Sequence, residues 1–169
     1  LGIRKVERNS VNGGSIRFHV EHRNRTEPDF DVKPDDQIKA WSQFGPKVDR
    51  LRHDALMELA RLSDQGKTVL GVAASTKANT VLQHFDIMTD LLPAIIERAP
   101  DKIGRMTVGS NIPIISESDH SYKPDYYLAL AWQFLDGFRE RYPDMPFLTL
   151  LPEVKSYPAL RERVAGSTA

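Results

Sequence analysis

From Thr68 to Ala73 the chain runs without a charge, and from Ala74 to Thr80 it turns at once to small, hydroxylated and amide residues around one lysine. A continuous apolar run this short reads as a strand covered on both faces, and the abrupt change at its end as the N-terminus of a helix. A buried strand feeding a helix requires a layered α/β arrangement. The helix terminus would present unpaired N–H groups and the positive end of its dipole where Ser75, Thr76 and Lys77 stand, which suits a phosphate. The residues equally allow a plainer reading, in which Ser75 or Thr76 caps the helix and Lys77 is solvated.

The rest of the chain extends the same pattern. Ile16, Phe18 and Val20 alternate with Arg17 and His19 after a Gly13-Gly14 turn, so Ser15 to Val20 reads as a half-buried strand. Glu21 to Asp36 is polar and holds Pro28 and Pro34, which marks a connector. Ile38, Trp41, Phe44, Val48, Leu51, Ala55, Leu59 and Leu62 then form one helical stripe closed by Gly66, with a kink or break expected at Gly45-Pro46. After the helix through Val81, Leu82 and Phe85, Pro93 to Ile96 reads as a strand ending on Glu97, and Arg98 to Pro113 as loop. Asp125 to Ala131 predicts another strand, Trp132 to Tyr142 a helix with Phe134, Leu135 and Phe138 inward, and Phe147 to Leu151 a last strand. The expected fold is an α/β, Rossmann-like three-layer sandwich with a mainly parallel sheet, preceded by an isolated strand and a long amphipathic helical region. Residues 1–21, 22–36, 37–160 and 161–169 read in turn as a leading segment, a connector, the α/β domain and a tail.

Composition narrows the function. Basic and acidic residues balance at 23 each, so no global field recruits nucleic acid or an anionic membrane, and any anion site is local. The absence of cysteine excludes disulfides, a cysteine nucleophile and thiolate metal sites, and a reducing, cytoplasmic setting is expected. No apolar run approaches a membrane span, the first residues lack a signal peptide's apolar stretch, and a first residue other than Met suggests a trimmed product. His19 and His22 would project to opposite faces of a strand, so no metal site is expected. There is no G-x-S-x-G elbow, and Val72 and Ala73 stand where a dinucleotide fingerprint or a glycine-rich S-adenosylmethionine loop needs glycine. Glu97, at a strand end, can accept hydrogen bonds from a sugar hydroxyl or can simply be solvated. Trp132 reads as a core aromatic; Tyr122, Tyr126 and Tyr127 are candidates to stack on a base, with two of them serving the sheet.

Four ordered blocks carry a resemblance: Gly71-Val-Ala-Ala-Ser-Thr-Lys-Ala-Asn-Thr80, Ile95-Ile-Glu-Arg-Ala-Pro-Asp-Lys-Ile-Gly104, Gly109-Ser-Asn-Ile-Pro-Ile114 and Pro124-Asp-Tyr-Tyr-Leu-Ala-Leu-Ala-Trp132. Together they resemble the C-terminal domain of sugar C-methyltransferases, and Asn12 to Phe18 resembles the segment closing the central methyltransferase domain of that family. The departures are less glycine in the first block, Glu97 for an aspartate, Val108-Gly109-Ser110 for Pro-Gly-Thr, and Gln133 for an asparagine. The resemblance implies that residues 1–21 are the end of an upstream methyltransferase domain and that the α/β domain binds a nucleotide diphosphate sugar. Ser75, Thr76 and Asn79 would hold the diphosphate, Lys77 would neutralise part of its charge, Glu97 would meet a sugar hydroxyl, and Lys102 and Asn111 would close over the ligand. In the intact enzyme a base removes a proton beside the sugar's keto group and the enolate takes a methyl from S-adenosylmethionine. That base and the S-adenosylmethionine site lie upstream, so neither catalysis nor cofactor is expected of this chain alone, and His19 and His22 inherit no role. The rival expectation is a free-standing nucleotide- or coenzyme-binding or regulatory module. The Gly14 to Val20 strand, cut off from its sheet, is expected to join this domain's sheet or a second copy of the chain, giving a homodimer.

Overall fold

A computed structural model describes residues 1–9, 15–22 and 34–161, with the side chains of 34–40 excepted. Two compact units divide between Gly45 and Pro46. The readings at Gly13-Gly14 and Ile38, with most of the 22–36 connector and the 161–169 tail, lie outside the described residues.

In the first unit β1 (Gly2–Asn9) and β2 (Ser15–Glu21) form an antiparallel pair. The strand expected to stand alone therefore has a neighbour, and it does not join the larger sheet. Its partner escapes a period-2 reading because the register shifts between Ile3 and Lys5. With Arg4 as the extra residue, Ile3 and Val6, three apart in sequence, come to lie opposite Val20 and Phe18. The other face carries Lys5, Glu7, Arg17 and His19, where Glu7 takes Lys5, His19 at 3.0 Å and Arg17 at 3.8 Å.

Helix α1 (Pro34–Asp64) opens at a proline that the sequence reading left in the connector. A proline fits the first turn, where its missing N–H has no intrahelical partner to lose. The helix also runs through Pro46 without splitting. Along its later part Ala55, Leu59 and Leu62 are buried, whereas Trp41 and Phe44 on the same predicted stripe are largely exposed.

The second unit is built on a six-stranded sheet of order β5-β4-β3-β6-β7-β8. The strands are β3 (Val69–Val72), β4 (Ile95–Glu97), β5 (Ile114–Ser116), β6 (Tyr126–Ala129), β7 (Phe147–Thr149) and β8 (Lys155–Tyr157). All neighbours are parallel except the β7–β8 pair. On one face Leu59 and Leu62 of α1 and Ala78, Leu82 and Phe85 of α2 (Thr76–Phe85) pack with Val69, Ile95, Leu128 and Leu148. On the other, Phe138 of α3 (Leu135–Arg141) packs with Leu70, Val72, Ile96, Ala129 and Phe147. The expected three-layer, mainly parallel sandwich is thus the fold.

Three local readings change. The stretch read as loop, Arg98 to Pro113, leads directly into an edge strand, β5, that the reading did not include, and Phe147 to Leu151 is not the last strand, because β8 follows. Both missed strands sit at sheet edges and lack a continuous apolar run: β8 is Lys-Ser-Tyr, and β5 ends on Ser116 after a proline that edge strands tolerate. Phe134 is 57% exposed rather than inward. Trp132–Phe134 forms a 3-10 turn ahead of α3, so Phe134 leaves the stripe that Leu135 and Phe138 share.

Candidate functional site

The chain runs from β3 outward to β4 and β5 on one side, then returns to β6, β7 and β8 on the other. The reversal falls between β3 and β6, where ligands of open α/β sheets bind outside the strands' carboxyl ends. Ala73 leaves β3 at φ 72, and Ser75 follows as the N-cap of α2, its Oγ accepting the Ala78 N–H at 3.1 Å. The capping reading of Ser75 is therefore met.

Beside this turn lies a cavity of about 230 Å³ lined by Ala74, Ser75, Thr76, Asn79, Lys102, Met106, Thr107 and Ile114. Pockets that enclose whole drug-sized ligands run to roughly 300–1,000 Å³, so this one suits a single part of a ligand, such as linked phosphates. Its wall from Thr107 onward is rigid: Thr107 Oγ1 lies 2.7 Å from Ser110 Oγ and accepts the Ile112 N–H at 2.8 Å. Gly109 brings that loop against α2, since a Cβ there would meet the Gln83 side chain at 2.8 Å.

Four of the expected residues, Ser75, Thr76, Asn79 and Lys102, come together in the cavity, and three do not line it. Lys77 points instead to the β3–β6 reversal, its Nζ 5.6 Å from the centroid of the Trp132 ring. Asn111 is exposed at φ 52, a left-handed turn position that asparagine tolerates. Glu97 is turned inward: Oε1 accepts the N–H groups of Arg98 (2.8 Å) and Ala99 (3.1 Å), and Oε2 that of Ala74 (3.0 Å). Lys102 Nζ lies 3.4 Å from Oε2 and donates to Ala74 O at 3.0 Å. Burial works against the charge of Glu97, but the amides of Ala99, Arg98 and Ala74 and the Lys102 charge outweigh it, and the pKa falls below the ordinary carboxylate value.

Sequence reasoning missed Ala74, Met106, Thr107 and Ile114, the last three of which only the folded 98–113 loop and β5 bring to the turn. It also set Trp132 aside as a core residue, although the indole is only half-buried at the end of β6. Its place directly after an apolar strand was the available signal. The three tyrosines proposed for stacking serve packing: Tyr127 meets Tyr142 at 4.9 Å and Phe147 at 5.6 Å, and Tyr126 and Tyr122 lie against the two cores. His19 pairs with Glu7, and among the described residues no group of three or more His, Asp or Glu side chains could hold a metal ion. Among the same residues no helix is long and apolar enough to cross a membrane.

Strand order, reversal point and capped helix define a Rossmann-like α/β domain. Residues 10–146 match the family described as the C-methyltransferase C-terminal domain, and the chain belongs to that family. It is also similar to the C-methyltransferase NovU of Streptomyces niveus, with 33% identity over 96 residues, 56% of this chain and 23% of that protein. The chain thus spans about a quarter of the length of the curated relative it matches.

Proposed function

We propose that this chain is the nucleotide-sugar-binding part of a C-methyltransferase that acts on a nucleotide-linked deoxysugar with S-adenosylmethionine as methyl donor. The observation that carries the reading is the cavity itself: a helix N-terminus, three hydroxyl side chains, an amide and the Lys102 ammonium converge at the carboxyl end of the sheet in a member of this family. In this reading the α2 N-terminus and Lys102 take the diphosphate, and the stiff 107–112 loop fixes its position.

In this reading the methyl donor is held elsewhere than at the turn after β3, where Val72 and Ala73 already stand in place of the glycines of a nucleoside-binding loop. Ala73 and Ala74 carry Cβ atoms where close approach to a nucleoside needs glycine, and Ala74 N–H is committed to Glu97. The same reading leaves proton removal and methyl transfer to other parts of the intact enzyme, as the resemblance implies, and has the residues of this chain bind and orient.

Calorimetric titration of the chain with a deoxythymidine-diphosphate sugar, and separately with S-adenosylmethionine, tests the assignment. Heat with the sugar nucleotide alone, reduced by Lys102→Met, is the expected result. Saturable binding of S-adenosylmethionine, or no binding of the sugar nucleotide, would overturn it, and equal affinity for unrelated nucleotides would favour a free-standing nucleotide-binding module. The β1–β2 pair leaves Ile16, Phe18 and Val20 exposed along one face, which supports pairing with a second copy. Light scattering should then give a dimer mass, and a strict monomer would remove that proposal.

A further inference from the structure

Glu97 ends β4 where an acidic residue of a nucleotide-binding sheet can accept ribose hydroxyls. Here its side chain is 12% exposed, and three backbone N–H groups and the Lys102 ammonium face its two oxygens. A carboxylate offers about four lone-pair directions, so these partners occupy its capacity. They also come from two loops. Ala74 belongs to the turn after β3, while Arg98, Ala99 and Lys102 belong to the loop after β4. Lys102 closes the circuit by donating to Ala74 O at 3.0 Å, and two of its three donors are thereby directed within the protein. The third remains for the cavity that Lys102 lines.

We propose that Glu97 is a positioning residue that holds the Lys102 ammonium at the cavity and clamps the Ala74-Ser75 turn beside it, so that the domain grips the diphosphate of its ligand and makes no contact with ribose hydroxyls at this strand end. The ligand half of this statement rests on the nucleotide reading above; the clamp does not. Without Glu97 the lysine stem regains its rotamers, and the phosphate loses a preplaced charge.

Inorganic pyrophosphate, deoxythymidine diphosphate and uridine diphosphate are titrated against the wild type, Glu97→Gln, Lys102→Met and the double variant, well below their melting temperatures. Glu97→Gln should weaken all three ligands by the same factor, about tenfold, the size expected for a misplaced charge-assisted contact. The double variant should bind no more weakly than Lys102→Met. A loss confined to the two nucleotides, with pyrophosphate unaffected, would show a hydroxyl contact and overturn the proposal, as would losses that multiply in the double variant. The clamp is read separately, without ligand, from the exchange of the Lys102 ammonium protons by ¹⁵N NMR. Slow exchange in the wild type that becomes fast in Glu97→Gln is expected; equal rates would refute the clamp. If the wild type binds none of the three ligands, the diphosphate assignment falls together with the nucleotide reading, and the ammonium exchange still decides whether Glu97 positions Lys102.

Discussion

Ala73 is held at φ 72, a left-handed conformation that costs a residue with a Cβ about 1–2 kcal/mol. The strain sits where β3 hands the chain to the α2 cap, in a block where the resemblance calls for more glycine. Ala73→Gly should raise stability by up to about 1 kcal/mol, the relief less the added freedom of the unfolded glycine, as read from urea denaturation. Gly71 behaves oppositely. It lies within β3, not in the turn, and a Cβ there would meet Leu130 Cδ1 at 2.8 Å and Ile95 Cγ1 at 2.9 Å. Gly71→Ala should therefore cost about 1–3 kcal/mol through overpacking, in the same assay. Neither role is legible in the sequence, because one depends on a dihedral and the other on residues 24 and 59 positions away that the glycine alone does not announce. The same holds for Glu97: its type and place at a strand end were readable, whereas the direction of its carboxylate depended on amides that the folded loops supply.

At the scale of the element, α2 divides its N-terminal residues between two tasks. Ser75 caps the helix, and Ser75→Ala should lower stability by about 1 kcal/mol without disturbing the sheet. Lys77 covers the indole of Trp132, so Lys77→Met in a Trp41→Phe background should change Trp132 fluorescence and its quenching by acrylamide. Unchanged quenching would show that the lysine does not shield the ring. The elements that the sequence disclosed, β2, β3, α2, β4, β6, α3 and β7, each show an alternation, a continuous apolar run or a helical stripe. Those it hid lack such a pattern: β1 is broken by its bulge, β5 directly follows the Asn111-Ile-Pro113 segment of the loop and ends on Ser116, and β8 is the largely polar Lys155-Ser-Tyr157. Helix α1 was visible from its stripe, but its start at Pro34 and its passage through Pro46 show how the same residue type can open a helix or lie inside one.

Across the whole molecule, among the carboxylates whose pKa is depressed, Glu7 in the first unit and Glu97 in the second tie acid sensitivity to particular contacts. Glu7 is lowered from 4.5 to about 2, first by the hydrogen bond from Lys5 and next by that from His19. Its contribution to the β1–β2 pair is whole above pH 4.5 and disappears as pH falls from there towards 2. Glu97 is likewise lowered from 4.5, so the clamp between the loops after β3 and β4 stays intact above that value and is lost as acid protonates the carboxylate below it. An NMR pH titration following the Ala74 and Ala99 amides, and the side-chain carboxyl carbon of Glu7 in the first unit, should show both carboxylate transitions below pH 4.5. The sheet order was foreseeable only as a class, since alternating strands and helices do not say which side of β3 each later strand joins. That order has a kinetic corollary. Every residue lining the cavity falls between Ala74 and Ile114, so its walls close over short separations, while β6 must travel back past β4 and β5 to reach β3. Local contacts form before distant ones. In pulsed hydrogen exchange during refolding, the amides around the cavity should gain protection no later than those of β7 and β8, and the binding end of the domain would then serve as the template on which its far edge is laid down.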